Sequence, residues 1–197
     1  MTALADHGAF RASAKVGPNA VIQLAQALRA KGGDGLAVRI FSAAGALDCL
    51  SHPPEEMVDE RIPIALFASL TRQLDREEAR AILTEAGRLT GEYILAHRIP
   101  RVARIALRIL PRRQGLKALL KAIGAHAWTF AGSGTCHVDP ATSTVSIADN
   151  PLATLGCPWH IAVFETLTKR LVSPRAKCTH TACCLHGAPA CRFVIAV

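Results

Sequence analysis

Five cysteines crowd the C-terminal part of the chain: Cys157, Cys178, Cys183, Cys184 and Cys191. The other two, Cys49 and Cys136, stand apart and read as core residues. Whether such a cluster makes cross-links or binds a metal depends on the redox compartment. The stretch Met1 to Lys15 mixes Asp6, His7, Arg11 and Lys15 with small residues and has no continuous apolar segment, so no signal peptide is expected. No apolar run reaches the roughly 18 residues that span a bilayer. A cytoplasmic chain with reduced thiols is expected, and there metal binding explains the clustering better than disulfides do. A structural zinc takes four soft or borderline ligands in a tetrahedron. The spacing contains no CxxC pair, and the competing reading is that these cysteines are small buried hydrophobes. Strand parity adds a constraint. Residues i and i+3 of a regular strand face opposite sides, so His180 and Cys183 share a metal only where the strand bends or ends. Cys178, His180 and Cys184 share one face and form a rival ligand set.

The rest of the chain predicts helices first and a small sheet after them. Half of the 197 residues are hydrophobic and only 5% are aromatic, and the abundance of Ala and Leu favours helix. A helix is expected over 18–31, ended by Gly32 and Gly33, with a second over 36–50 weakened at Gly45. Ser51-His52-Pro53-Pro54 breaks the chain. Residues 55–73 form the next helix, disturbed at Pro63. Asp75 and Glu78 then make a capping box for a helix reaching about His97. Pro100 and Pro111 bound a basic helix over 101–110, and 114–123 continues as helix. From Ala127 the pattern changes to strand, glycine turn and strand over 127–138, with another strand over 142–148. A helix over 159–171 and two strands over 177–185 and 192–197 complete an α+β layout. Residues 1–16 are expected to be a flexible N-terminus and 17–197 a single domain.

The net charge of +8 is unevenly distributed. Between Arg98 and Lys121 there are eight basic residues and no acid. An anionic membrane surface, an acidic partner or a carboxylate-bearing ligand would complement that run. Nucleic acid is not expected, because no stacking aromatics are interleaved with the cations. Arg101, Arg104 and Arg108 recur at helical spacing and share one helix face. A solvated surface face is the plain alternative.

Two segments carry a resemblance. Gly187-Ala188-Pro189-Ala190-Cys191-Arg192-Phe193 is similar to the closing Gly-x-Pro-x-Cys-x-Phe strand of the 4-vinyl reductase domain family. Ala125 to Gly134 resembles the bacteriochlorophyll-biosynthesis branch of that family, and the similarity runs from about Gly17 onward. Members that sense aromatic compounds hold zinc with three cysteines and an acid. Those positions correspond here to Cys157, Cys183 and Cys191, with His180 in place of the acid. Histidine is itself a good zinc ligand, so the resemblance implies a Cys₃His site with Cys178 and Cys184 as rivals. Such a zinc would be structural, since all four positions are filled and no acid follows Glu165.

The resemblance also implies a ligand between helices and sheet, namely a Mg-porphyrin or protochlorophyllide-type tetrapyrrole. An apolar pocket with a few cationic anchors suits such a ring. Arg101, Arg104 and Arg108 are the candidate anchors. His126 and His137, which flank the glycine turn, are candidate axial ligands, with His97 as a further one and Trp128 as a pocket wall. No strand–G-x-G-x-x-G–helix unit for a nicotinamide cofactor is present, nor an iron–sulfur cysteine run. The expectation is a non-catalytic binding or carrier protein of bacteriochlorophyll biosynthesis. The alternative is a divinyl 4-vinyl/8-vinyl reductase using an external electron donor. Pathway enzymes, a homodimeric partner and a peripheral position on the inner membrane are the further expectations.

Overall fold

A computed structural model describes residues 14–197. The expected flexible segment therefore lies mostly outside the described residues, but Lys15 and Val16 form a strand, β1. It pairs antiparallel with β2 (Val58–Asp59) through Lys15–Asp59 and Val16–Val58. A two-residue ladder leaves no period in a sequence, which is why 55–60 reads as helix beforehand.

Helix α1 (Asn19–Ala43) leaves helical geometry at Gly32 and Gly33, so it consists of two arms. A short α2 (Asp48–Ser51) follows. In α3 (Arg61–Gln73) Pro63 falls in the first turn, where no amide hydrogen bond is lost. Helix α4 (Arg76–His97) begins at Asp75, whose carboxylate accepts from the Glu78 amide at 2.9 Å. Helices α5 (Arg101–Ile109) and α6 (Arg112–Ala125) each start after a proline, which suits the entry to a helix. Among the described residues no helix is long and apolar enough to cross a membrane.

Residues 127–129 are a 3₁₀ turn and not the expected strand. The Gly17 amide holds this turn by donating to the Thr129 carbonyl at 2.7 Å, a long-range bond that local propensity cannot reveal. Strands β3 (Thr135–Asp139) and β4 (Thr144–Ala148) come next, then α7 (Pro158–Leu171), β5 (Lys177–Ala182) and β6 (Ala190–Ala196). The four strands form one antiparallel sheet in the order β3-β4-β6-β5. The architecture is thus α+β, as the change of pattern at Ala127 predicts.

Alternation along β6 sets the inner face: Cys191, Phe193 and Ile195 are buried, while Arg192 and Val194 point away. Helix α7 lies between this face and α4. Gly87 and Gly91 let α4 and α7 approach closely. A Cβ on Gly87 would collide with the Trp159 carbonyl, and one on Gly91 would stand 2.8 Å from the Thr166 Cβ. Phe164 packs edge-on against Phe193 and Phe130, tying helix, sheet and turn into one core.

Candidate metal centre and ligand cavity

Cys157 occupies the residue before α7 in the left-handed conformation (φ 59°, ψ 46°). Leu155 (φ 46°) and Gly156 (φ 79°) precede it with the same handedness. Three such residues in succession are costly for the two that carry a Cβ. The loop is pinned by Arg80, whose Nη1 donates to the Leu155 carbonyl at 2.8 Å. The turn aims the Cys157 Sγ at Cys191 on β6, 3.6 Å away.

Strand parity is resolved by a β-bulge. His180 pairs with Phe193, but Ala182 pairs with Arg192, so Thr181 is an extra residue. The insertion puts His180 and Cys183 on one side despite their i, i+3 spacing. Donor atoms of Cys157, His180, Cys183 and Cys191 all lie within 4.8 Å of one another. Around a tetrahedral zinc with bonds of about 2.3 Å, sulfurs stand about 3.8 Å apart. The Cys157–Cys191 distance is close to that edge. All three cysteines are buried, and the His180 Nε2 is a buried nitrogen with no hydrogen-bond partner. One imidazole nitrogen grouped with three thiols is the donor set of a Cys₃His site.

The electrostatics agree with that chemistry. The Cys157 thiol donates to Cys191, and this bond brings the Cys191 thiol down to about 3; burial opposes the shift, and the Cys184 amide, 3.5 Å from its sulfur, assists it. The same bond, with burial, raises Cys157. Burial raises Cys183. The Asn150 amide, 3.8 Å from the Cys157 sulfur, is a further polar neighbour.

The rival ligand set is not assembled. Cys178 is buried at the far end of β5, where its amide donates to Glu165 Oε2 at 2.9 Å. Its thiol is pushed up to about 12, chiefly by burial. Cys184 stands 3.6 Å from Cys191 but outside the mutual four-donor group, and its thiol points to the Ile147 carbonyl. Cys49 and Cys136 pack against the core, as expected; burial pushes Cys136 up to about 11.

On the other flank of α7 lies a cavity of about 750 Å³. Ligand pockets span about 300–1,000 Å³. Val163, Phe164 and Leu167 of α7, Ile94 of α4, and Leu119 and Ile123 of α6 make its apolar walls. His126 and Trp128 line it, and Trp128 is 58% exposed, a large aromatic ring left to solvent. His126 Nδ1 lies 2.9 Å from the Ala122 carbonyl, which selects the tautomer protonated at Nδ1 and leaves the Nε2 lone pair available.

The expected arginine anchors are elsewhere. Arg101, Arg104 and Arg108 are not among the lining residues, and Arg108 instead donates to the Arg170 carbonyl at 3.1 Å. His137 lies exposed on β3, also away from the cavity. The cations that do line it are Arg98 and Lys15, accompanied by Glu55 and Glu56. Arg98 belongs to the basic run but precedes the periodic part, and Lys15 falls in the segment expected to be flexible.

The burial of His160 is not legible in the sequence. His160 is 1% exposed, and neither ring nitrogen has a hydrogen-bond partner. It is ringed by Trp159, Phe130, Phe164 and Phe193, and Phe193 in turn stacks on His180 at 4.9 Å. Burial pushes its imidazole down to about 4, so it is neutral.

No family model matches the chain. It is 43% identical over 187 residues to the bacteriochlorophyll synthase 23 kDa chain of Cereibacter sphaeroides, covering 91% of this chain and 89% of that one. It is 36% identical over 187 residues to the bacteriochlorophyll synthase 23 kDa chain of Rhodobacter capsulatus, covering 92% and 86%.

Proposed function

The chain belongs to the family of the bacteriochlorophyll synthase 23 kDa chains, and from that premise we propose that it is a tetrapyrrole-binding protein of bacteriochlorophyll synthesis. It holds a Mg-porphyrin or protochlorophyllide-type ring and carries it to, or presents it at, an enzyme of the pathway. The observation behind this reading is the cavity of about 750 Å³, apolar on its walls, with Arg98 and Lys15 beside Glu55 and Glu56 among its lining residues. A flat apolar ring gains from burial at about 25 cal/mol per Å². Its propionates would find the two cations. His126, with Nδ1 engaged and Nε2 available, is the candidate fifth ligand to magnesium. Trp128 would cover the ring.

Zinc belongs to the same proposal, held by Cys157, His180, Cys183 and Cys191. Bound there, it would cross-link α7 to β5 and β6, with no coordination position left for a reacting water. The relatives are named as chains of a synthase, which supports an enzyme of that pathway as the partner.

The test mixes the purified chain with Mg-protoporphyrin or divinyl protochlorophyllide and follows absorbance with and without NADPH. A red shift indifferent to NADPH is expected. The absence of any shift would overturn the binding reading. Conversion to the monovinyl product by this chain alone would replace the carrier with the vinyl reductase that the 4-vinyl reductase resemblance suggests.

A further inference from the structure

Helix α5 leaves its apolar residues in water. Val102 is 79% exposed, Ile105 61% and Ile109 78%. Their spacing of three, four and seven puts them on one stripe of the helix. Arg101, Arg104 and Arg108 run along the flank of that stripe, and Arg112 and Arg113 follow directly after Pro111. A helix that only needed solubility would not spend its outward face on Val and Ile. We propose that α5 is an in-plane membrane anchor that lays Val102, Ile105 and Ile109 into the headgroup boundary of an anionic bilayer.

The charge pattern selects the occupant. From Arg98 to Lys121 there are eight cations and no acid, a run that complements a surface that is anionic everywhere. The apolar face is convex and short, which suits insertion to the depth of side chains. Arg101 and Arg104 make no ion pair within the described residues. The position also has a consequence for the cavity. Helix α5 bridges α4 and α6, and both contribute lining residues, Ile94, Arg98 and Ile99 from the first side and Leu119 and Ile123 from the second. Docking would therefore set the cavity beside the lipid surface. The inference concerns α5 alone and does not rest on what the cavity holds.

Flotation of the purified full chain, without tetrapyrrole, tests it. Vesicles of phosphatidylcholine alone are compared with vesicles containing equal parts of phosphatidylcholine and phosphatidylglycerol. Binding to the mixed vesicles only is expected, weakening as salt rises. The Ile105→Asp and Ile109→Asp variants should lower the partition coefficient by at least about tenfold each, with melting temperature unchanged because both side chains already face water. Arg101→Gln with Arg104→Gln should weaken binding and flatten its salt dependence. No flotation with mixed vesicles, or undiminished flotation of both Asp variants, would overturn the proposal. So would a dimer, seen by light scattering, that Ile105→Asp dissociates while vesicles stay unbound; a second copy of the chain would then be the occupant.

Discussion

The two sides of α7 differ in kind. At its N-terminal end, polar donors converge in a dry corner where Cys157, Cys183 and Cys191 have no solvent contact to speak of. Along its flank, apolar side chains surround an open volume with charge only at the edge. The first region is over-determined: a left-handed turn, a bulge and a strand register all serve one point in space. The second is under-filled, a packing defect that a folded protein keeps only at a cost. Preorganised donors without space suit an ion, while apolar space with a few polar groups suits a large greasy molecule.

Substitution at the corner should have the largest effect. Cys191→Ser is expected to reduce zinc, measured by atomic emission, from about one per chain to near zero. Unfolding free energy should fall by about 4 kcal/mol or more. Cys178→Ser, also buried, should retain the metal. Equal zinc in both variants would erase the distinction between the corner and the rest of β5.

His160 sits between the two regions and tests whether they share one dry core. Its folded pKa of about 4 lies below the ordinary value of 6.5. The unfolded chain therefore binds more protons between these values. The stability that neutral His160 allows is full above about pH 6.5 and is lost as pH falls toward about 4, by up to roughly 3 kcal/mol. Acid also protonates the metal donors, so the informative quantity is the difference between the parent chain and His160→Leu in denaturant titrations across that range. Parallel profiles would mean that water reaches the imidazole.

Gly87→Ala comes next, because the new methyl meets the Trp159 backbone and not a movable side chain. A loss of about 1–3 kcal/mol is expected, together with weaker ligand binding, since Trp159 also lines the cavity. The smallest effect belongs to the cavity edge. His126→Ala should weaken Mg-porphyrin binding about tenfold, or about 1.4 kcal/mol, while zinc content and melting temperature stay unchanged. A metal-free porphyrin should bind both forms alike, which isolates the role of the imidazole.

What could be read in advance follows the same division. Helix α4 is legible because its cap, its period and its length all agree. The alternation of β6 is legible, and with it the inward direction of Cys191. The bulge at Thr181 is not, since one inserted residue has no signature in a strand only six residues long. Spacing alone therefore left His180 and Cys183 on opposite faces, and only the resemblance grouped them. At the cavity the limit is different. Periodicity shows that Arg101, Arg104 and Arg108 share a face, but not where that face is turned. Here the fold turns it away from the cavity, and Arg98, just before Pro100, takes the position expected of them. Lys15 could not be anticipated, because its place depends on a two-residue pairing with β2. His160 reads in sequence as an ordinary histidine after a tryptophan; only the four aromatic rings around it make it unusual.

The dual use of α7 bears on the order in which the molecule can be made. Helices α1 to α6 leave the ribosome before α7, and until then the cavity lacks the wall formed by Val163, Phe164 and Leu167. When α7 arrives, the residue before it is still unsecured, because the partner of Cys157 lies 34 positions further along. The nascent chain thus passes through a stage with a half-built apolar trough exposed, the kind of surface that chaperones hold. Completion of β6 closes that window.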